Sequence, residues 1–359
     1  MSKKRRVDER IELSKKDSLQ QEKQTIPAET NGSSSGFPRK YTVSIAVPGS
    51  IVANAQSQEL RTYLVGQLAR AFVIFNIDEV VVFDDNLSPI DNNQTEETGN
   101  QLKGTFQASS SIQSPHLFLA RILQYLETPQ YLRKALFPIH KDLQFAGLLN
   151  PLDSPHHLRA TEASRYREGI VMKKPIKAGQ GSFVSCGLRK DVAIDKCLKP
   201  GTRVTVELNE GEWDAQQVKR AHLLGKVVSP RRPREAHGIY WGYQVRLATS
   251  LSKVFDECPY KGGYDLKIGT SERGESIDTA SSEIPQFNHL LLVLGGVQGI
   301  EAAVDADQSL DLSTEESSSL FDFWLNTCPN QGSRTIRTEE ALLVTMSALR
   351  PTILAKGIL

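Results

Sequence analysis

The side chains best suited to chemistry sit in three polar, glycine-bearing loops near the C-terminal end of the chain. They are Gly269–Gly274 (GTSERG), Gly295–Glu301 (GGVQGIE) and Asn326–Glu340 (NTCPNQGSRTIRTEE). These loops carry Arg273, Glu301, Arg334, Arg337 and Glu340. A guanidinium can position a phosphate or oppose an oxyanion, and a carboxylate can take up a proton. Glycine lets backbone N–H and C=O groups approach a ligand where a Cβ would clash. No GxxxxGK[ST] phosphate loop is present, and Gly295-Gly296-Val297-Gln298-Gly299 does not match G-x-G-x-x-G, so a dinucleotide reading is weak. The loops are poor in lysine, which argues against a triphosphate. They suit an adenosine-like ligand with an amino-acid tail, held by backbone groups. S-adenosylmethionine fits that description, although composition alone does not select it.

Each loop follows a short strand-like run: Tyr264–Ile268, Leu290–Leu294 and Phe321–Leu325, of which Leu290–Leu294 is wholly apolar. An apolar run that stops at glycine is the pattern of a buried parallel strand meeting its ligand loop. After the second loop, Val297–Ala303 reads as the first turns of a helix. Thr338 is the expected N-cap of a last helix, with Glu339 and Glu340 in its first turn, where they also suit the helix dipole. Upstream, Tyr41–Val47 and Glu79–Phe83 read as strands. Leu60, Leu64, Leu68 and Phe72 recur at helical spacing from Glu59, and Pro115–Leu126 does the same. Alternation of strand and helix predicts an α/β fold with a parallel sheet.

Between about 166 and 250 the texture changes to short strands separated by glycine, proline and lysine, which predicts a small inserted β-barrel of OB type. Its last strand is expected at Tyr240–Leu247. A loop in this region carries Lys219, Arg220, His222, Lys226, Arg231, Arg232, Arg234 and His237, followed by Tyr240, Trp241 and Tyr243. Basic groups beside exposed aromatics suit phosphate contact and base stacking on RNA. A solvated loop next to core aromatics gives the same pattern.

Composition bounds the rest. With 43 basic and 42 acidic residues in 359, the net charge is +1, so any nucleic-acid partner must be met by local patches. No apolar run approaches the ~20 residues of a membrane span. The N-terminus is charged and lacks a signal-peptide core. Cys186, Cys197, Cys258 and Cys328 are scattered and read as free thiols in a reducing compartment. The adjacent His156 and His157 converge poorly on one metal, and no metal is expected. Residues 1–38 read as a disordered tail whose Lys3-Lys4-Arg5-Arg6 could serve as a nuclear signal, and 84–114 read as a mobile Ser/Asn-rich insertion.

The ordered segments SIAVPGSIVANAQSQELRTYLVGQLARA, RILQYLETPQYLRKALFP, LQFAGLLNPLDSPHH, YWGYQVRLA, GYDLKIGTSERG, LLLVLGGVQGIEA and NTCPNQGSRTIRTEEA resemble the SPOUT methyltransferases. Within them the chain resembles the eukaryotic branch of RNA methyltransferases with an inserted barrel, over about 40–359. The basic tail, which is shorter and less helical than in that branch, and the 84–114 insertion depart from it.

The resemblance implies a SPOUT α/β knot: a parallel sheet with a deep C-terminal trefoil knot and an inserted OB-like barrel. It divides the chain into a basic tail (1–38), two halves of a methyltransferase domain (39–165 and 251–359) and the barrel (166–250). It implies S-adenosylmethionine held in a bent shape by Thr270, Glu272 and Arg273 of the first loop and Gly295, Gly296, Gln298 and Gly299 of the second. The third loop adds Asn326, Gln331, Gly332, Thr335 and Ile336. It also implies a homodimer, for which the apolar faces of helices at 59–75 and 338–350 are candidates.

The implied reaction is methyl transfer to RNA, with a ribosomal RNA uridine the expected target in the nucleus or nucleolus. Arg273 and Arg337 are expected to meet the substrate, and Glu301 to act as a strut or base. RNA contact is assigned to Lys219, Arg220, Arg231, Arg232, Arg234, Tyr240 and Trp241. The alternative is a cofactor-binding scaffold protein with a ribosome-assembly, spindle or kinetochore role.

Overall fold

A computed structural model describes residues 37–85, 114–176 and 179–358. The expectations for the basic tail and for most of the 84–114 insertion therefore lie outside the described residues.

Six strands form one sheet: β1 (Thr42–Pro48), β2 (Glu79–Phe83), β8 (Gln244–Ala248), β9 (Leu266–Ser276), β10 (His289–Val293) and β11 (Phe323–Asn326), in the order β11-β9-β10-β1-β2-β8. Every pairing is parallel. Alternate residues of the apolar runs supply two cores. Ile45, Val80, Val82, Leu290 and Leu292 face one side, while Ala46, Val81, Leu291 and Val293 face the other. Burial on both faces is why these strands read as continuous apolar runs.

Five helices cover the two faces: α1 (Gln58–Ile74), α2 (Pro115–Glu127), α3 (Leu251–Asp256), α4 (Glu301–Ala306) and α5 (Thr338–Lys356). On the first face α1, α2 and α5 pack through Leu64, Leu68, Phe72, Leu119, Leu123, Leu342, Met346 and Leu349. On the other, α3 and α4 pack through Leu251, Val254, Ala303 and Val304. Ser57 caps α1 by accepting from the Leu60 N–H at 3.3 Å. The α/β class and parallel sheet read from the sequence describe this architecture.

Five short strands, β3 (Tyr166–Val171), β4 (Phe183–Ser185), β5 (Val192–Ala193), β6 (Arg203–Leu208) and β7 (Leu223–Val228), close into a barrel in the order β3-β4-β5-β7-β6. It has its own core of Val171, Val184, Cys186, Val192, Val206 and Leu223.

The structure corrects the expected barrel in one respect. The Tyr240–Leu247 segment is not its last strand. Its residues from Gln244 onward form β8, which pairs parallel with β2 from Glu79↔Gln244 to Phe83↔Ala248. Arg246 joins it to the sheet interior by donating to Glu79 at 2.9 Å. The barrel is pinned to α2 where Arg203 of β6 donates to both oxygens of Glu127 (2.7 and 3.0 Å), while a further bond from Arg203 to Glu168 of β3 (2.7 Å) stays within the barrel.

Candidate functional site

The carboxyl ends of β9, β10 and β1 lie side by side in the sheet, as ligand sites in open α/β folds require. The first loop is an excursion within a strand rather than a segment after one. Trp324 of β11 pairs with Gly269 and the next residue, Leu325, pairs with Glu275, so residues 270–274 are displaced from the ladder. Gly274 allows this because a Cβ there would sit 2.5 Å from the Leu325 carbonyl carbon.

The second loop is a tight turn rather than the start of a helix, which begins only at Glu301. The Gly299 N–H donates to the Gly296 carbonyl at 3.1 Å, and Gly299 has φ of 80°, which suits glycine. A Cβ on Gly295 would meet the Gly299 carbonyl carbon at 2.5 Å. The N-cap of the last helix is Arg337, not Thr338. The Arg337 N–H donates to Glu340 at 3.0 Å, so Glu340 is occupied in closing the helix start.

Side chains tie the three loops together. The Ser271 hydroxyl donates to Glu301 at 3.0 Å, and a Cβ on Gly299 would fall against the same carboxylate, which therefore braces the first loop against the second. Thr270 donates to the Val293 carbonyl at 3.2 Å at the exit of β10. The Asn326 amide donates to the Glu272 carbonyl at 3.0 Å, and Thr338 donates to the Gly295 carbonyl at 3.0 Å. Thr270, Glu272, Gly295, Gly299, Glu301 and Asn326 are thus brought together.

Arg273, Gln298, Gly332, Thr335, Ile336 and Arg337 are exposed around this ring, with Gln331 and Gly296 half-buried. The result is an open rim of backbone groups with no lysine in the three loops. Its cations are Arg273, Arg334 and Arg337, all exposed.

Sequence reasoning missed a second group at this end of the sheet. Ser50 follows β1, Asp84 and Asp85 follow β2, and His116 lies in the first turn of α2. The Ser50 hydroxyl donates to the Asp85 carboxylate. Asp84 lies 3.3 Å from His116 Nδ1. Burial raises the Asp85 carboxyl above its ordinary range, against the pull of the Ser50 bond, and burial lowers the His116 imidazole. The available signal was topological, since neighbouring parallel strands must release their following residues at the same edge.

The expected RNA surface divides. Lys219, Arg220, Arg231 and Arg232 are exposed, although Arg220 pairs with Glu212 at 2.8 Å. Arg234, Tyr240 and Trp241 are corrected to buried structural residues. Arg234 donates to the Tyr41 carbonyl at 2.5 Å, Tyr240 to the Ile77 carbonyl at 2.8 Å and Trp241 Nε1 to Glu168 at 2.7 Å. Their polar atoms serve the joint between sheet and barrel, and burial raises the Tyr240 hydroxyl well above its usual range. These rings are not placed to stack on bases. A cavity of about 480 Å³ at this joint is lined by Glu79, Glu127, Arg203 and Trp241 at the amino ends of β1, β2 and β8, away from the three loops.

Residues 42–349 match the family described as "Putative RNA methyltransferase". The chain is similar to the 28S rRNA (uridine-N(3))-methyltransferase of Homo sapiens, at 57% identity over 89% of this chain and 80% of that one. The Mus musculus enzyme of the same name is 55% identical over 89% of this chain and 78% of its own. That of Drosophila melanogaster is 49% identical over 87% and 62%. With its loops at the carboxyl ends of a parallel sheet and a match over nearly all of its described length, the chain belongs to this RNA methyltransferase family.

Proposed function

We propose that this protein transfers a methyl group from S-adenosylmethionine to N3 of a uridine in large-subunit ribosomal RNA. The observation that carries the reading is the meeting of the three lysine-free loops through Ser271–Glu301, Asn326–Glu272 and Thr338–Gly295, in a chain 57% identical to a human enzyme named for that reaction. Gly295, Gly296 and Gly299 would present backbone groups to the donor, with Thr270, Asn326 and the 331–336 segment completing its pocket. When bound, the donor supplies an electrophilic methyl group. Arg273 and Arg337, both exposed, would hold the RNA phosphates or the uridine oxygens. Glu301 acts as a strut between loops.

The loops are proposed to be threaded as a trefoil knot, and the barrel to be of OB type, carrying RNA along its exposed Lys219, Arg231 and Arg232. A homodimer is proposed across α1 and α5. It is supported by Leu60, Tyr63 and Leu343, exposed at 53%, 53% and 42%, beside a groove of about 220 Å³ lined by Gly66, Ile74 and Leu343. A nuclear location is proposed with the ribosomal substrate.

Calorimetry with S-adenosylmethionine, followed by transfer of labelled methyl to ribosomal RNA, tests the reading. Saturable binding and RNA labelling are expected. No donor binding would sink it, and binding without transfer to any RNA class would leave a scaffold.

A further inference from the structure

Transfer to a uridine N3 needs a proton acceptor, and the carboxylates of the three loops are Glu272, Glu301, Glu339 and Glu340, of which Glu272 stands exposed to solvent. The imide nitrogen carries a proton at neutral pH, and its lone pair is delocalised into two carbonyls, so it becomes a competent nucleophile only as that proton leaves. Arg273 and Arg337 cannot accept it. Glu301 is held by Ser271 and by its packing under Gly299. Glu340 is taken up by the Arg337 N–H.

One carboxylate at the same edge of the sheet is differently placed. Asp85 is 3% exposed and follows β2, whose Phe83 pairs with Pro48 of β1, and β1 in turn pairs with β10 up to Ala46↔Val293. The exits of three neighbouring strands thus bring Ser50, Asp85 and Gly296 together. The position a Cβ would take on Gly296 lies 3.4 Å from Ser50 Oγ and 3.9 Å from Asp85 Oδ2. The same point lies 3.6 Å from the Pro48 ring, so Ser50, Pro48 and the Asp85 carboxylate line the space beside Gly296 at ordinary van der Waals distances. Gly49 locks the arrangement, because a Cβ there would meet His116 Cβ at 2.5 Å.

We propose that Asp85, oriented by Ser50, is the proton acceptor for the RNA nucleophile. This rests on the reading that the chain is a uridine-N3 methyltransferase. The N3–H proton passes to an Asp85 carboxylate oxygen as the nitrogen pair forms the N–CH3 bond. The S–CH3 bond breaks with its electrons kept by sulfur, which leaves a neutral thioether. Carboxylate, imide and sulfonium become carboxylic acid, N-methyl imide and thioether, with charge conserved and no further reactant.

The surroundings suit a base. Among the described residues no lysine or arginine forms a salt bridge with Asp85. Among the described residues, the titratable groups facing it are Asp84 and His116, of which the first raises the carboxyl's proton affinity and the second is held toward its neutral form by burial. A raised carboxyl brings the acceptor closer to its working pH.

The test compares wild type with Asp85→Asn and Ser50→Ala. For Asp85→Asn, S-adenosylmethionine affinity by calorimetry and RNA affinity are expected to stay within about twofold, while single-turnover transfer falls about 10²- to 10⁴-fold, the range for loss of a general base. Ser50→Ala, which removes the bond that lowers the carboxyl, is expected to move the rising limb of the pH–rate profile upward. Carbon-13 NMR of the donor-free protein gives a readout independent of turnover. Asp85 is expected to titrate above the ordinary aspartate range, and higher still in Ser50→Ala.

Full transfer by Asp85→Asn in an active enzyme overturns the proposal and leaves the methyltransferase reading intact. Loss of donor binding or folding in Asp85→Asn, with an unmoved pH profile in Ser50→Ala, assigns Asp85 a structural role and also overturns it. If wild type itself labels no RNA, the methyltransferase reading fails first. An Asp85 that titrates normally overturns the proton-acceptor assignment without reference to activity.

Discussion

Thr338 Oγ1 donates to the carbonyl of Gly295 at 3.0 Å, so the first residue of the last helix holds the second glycine loop in place. Thr338 is buried at 8% exposure and its helix packs on the sheet through Leu342, Met346 and Leu349. The loop is thereby referenced to the rigid core rather than left to its own glycines.

Removing that hydroxyl isolates the link. Thr338→Val keeps shape and costs one neutral hydrogen bond, about 1 kcal/mol. Donor affinity measured by calorimetry is expected to weaken about fivefold, with a small change in melting temperature. Unchanged affinity would show that the third loop does not hold the second.

Glu301 separates strut from base by its two simplest replacements. Glu301→Gln retains an oxygen to accept from Ser271 and is expected to keep most donor binding and transfer. Glu301→Ala removes the brace between the first two loops and is expected to weaken donor binding about tenfold, consistent with loss of a charge-assisted bond of about 1.5 kcal/mol or more. Transfer lost in Glu301→Gln with binding intact would make this carboxylate the proton acceptor instead of Asp85.

The RNA surface is expected to respond by position. Lys219→Glu and Arg232→Glu, both exposed, should weaken RNA binding and lower the salt slope of affinity by roughly 0.7 to 0.9 for each phosphate no longer neutralised. Trp241→Ala should instead lower thermal stability by about 3 kcal/mol, because the ring is buried and its N–H is bound by Glu168. An undiminished melting temperature in Trp241→Ala, with RNA binding abolished, would return that ring to the RNA surface.

What the sequence made legible followed from local signals. The apolar runs at Val80–Val82 and Leu290–Leu292 announced buried parallel strands, and the spacing of Leu64, Leu68 and Phe72 announced a helix. The Tyr240–Tyr243 segment misled because exposed and buried aromatics look alike in one dimension. Its burial depends on Glu168, Ile77 and Leu123, whose groups bond these side chains from far along the chain. The Gly269–Gly274 excursion could not be seen either, since Trp324 and Leu325 of a later strand define which residues leave the ladder. Ser50, Asp85 and His116 went unassigned for a related reason. Their proximity is created by sheet order, and none belongs to a recognisable motif.

The joint between barrel and sheet carries a pH dependence. Burial, helped by His156, pushes the His157 imidazole down to about 4, below its ordinary 6.5, so the unfolded chain binds a proton that the folded chain refuses. Its contribution to stability is present above pH 6.5 and is lost as pH falls toward 4, on the order of 3 kcal/mol in full. Burial would raise Glu127, but Arg203 and His156 hold it far below the carboxylate range, so it stays ionised throughout that window. Melting temperature is expected to decline between pH 6.5 and 4, and less steeply in His157→Asn. Parallel curves for the two proteins would contradict the assignment.

The protein's proposed role stands or falls on whether it places a methyl group on N3 of a ribosomal RNA uridine. The most direct test is mass spectrometry of nucleosides from unmethylated large-subunit ribosomal RNA incubated with the purified protein and S-adenosylmethionine. The expected product is 3-methyluridine at one position, formed by wild type and reduced at least about 100-fold in Asp85→Asn. Methylation of a different atom or base, or none on any ribosomal RNA under conditions where the donor binds, would contradict it.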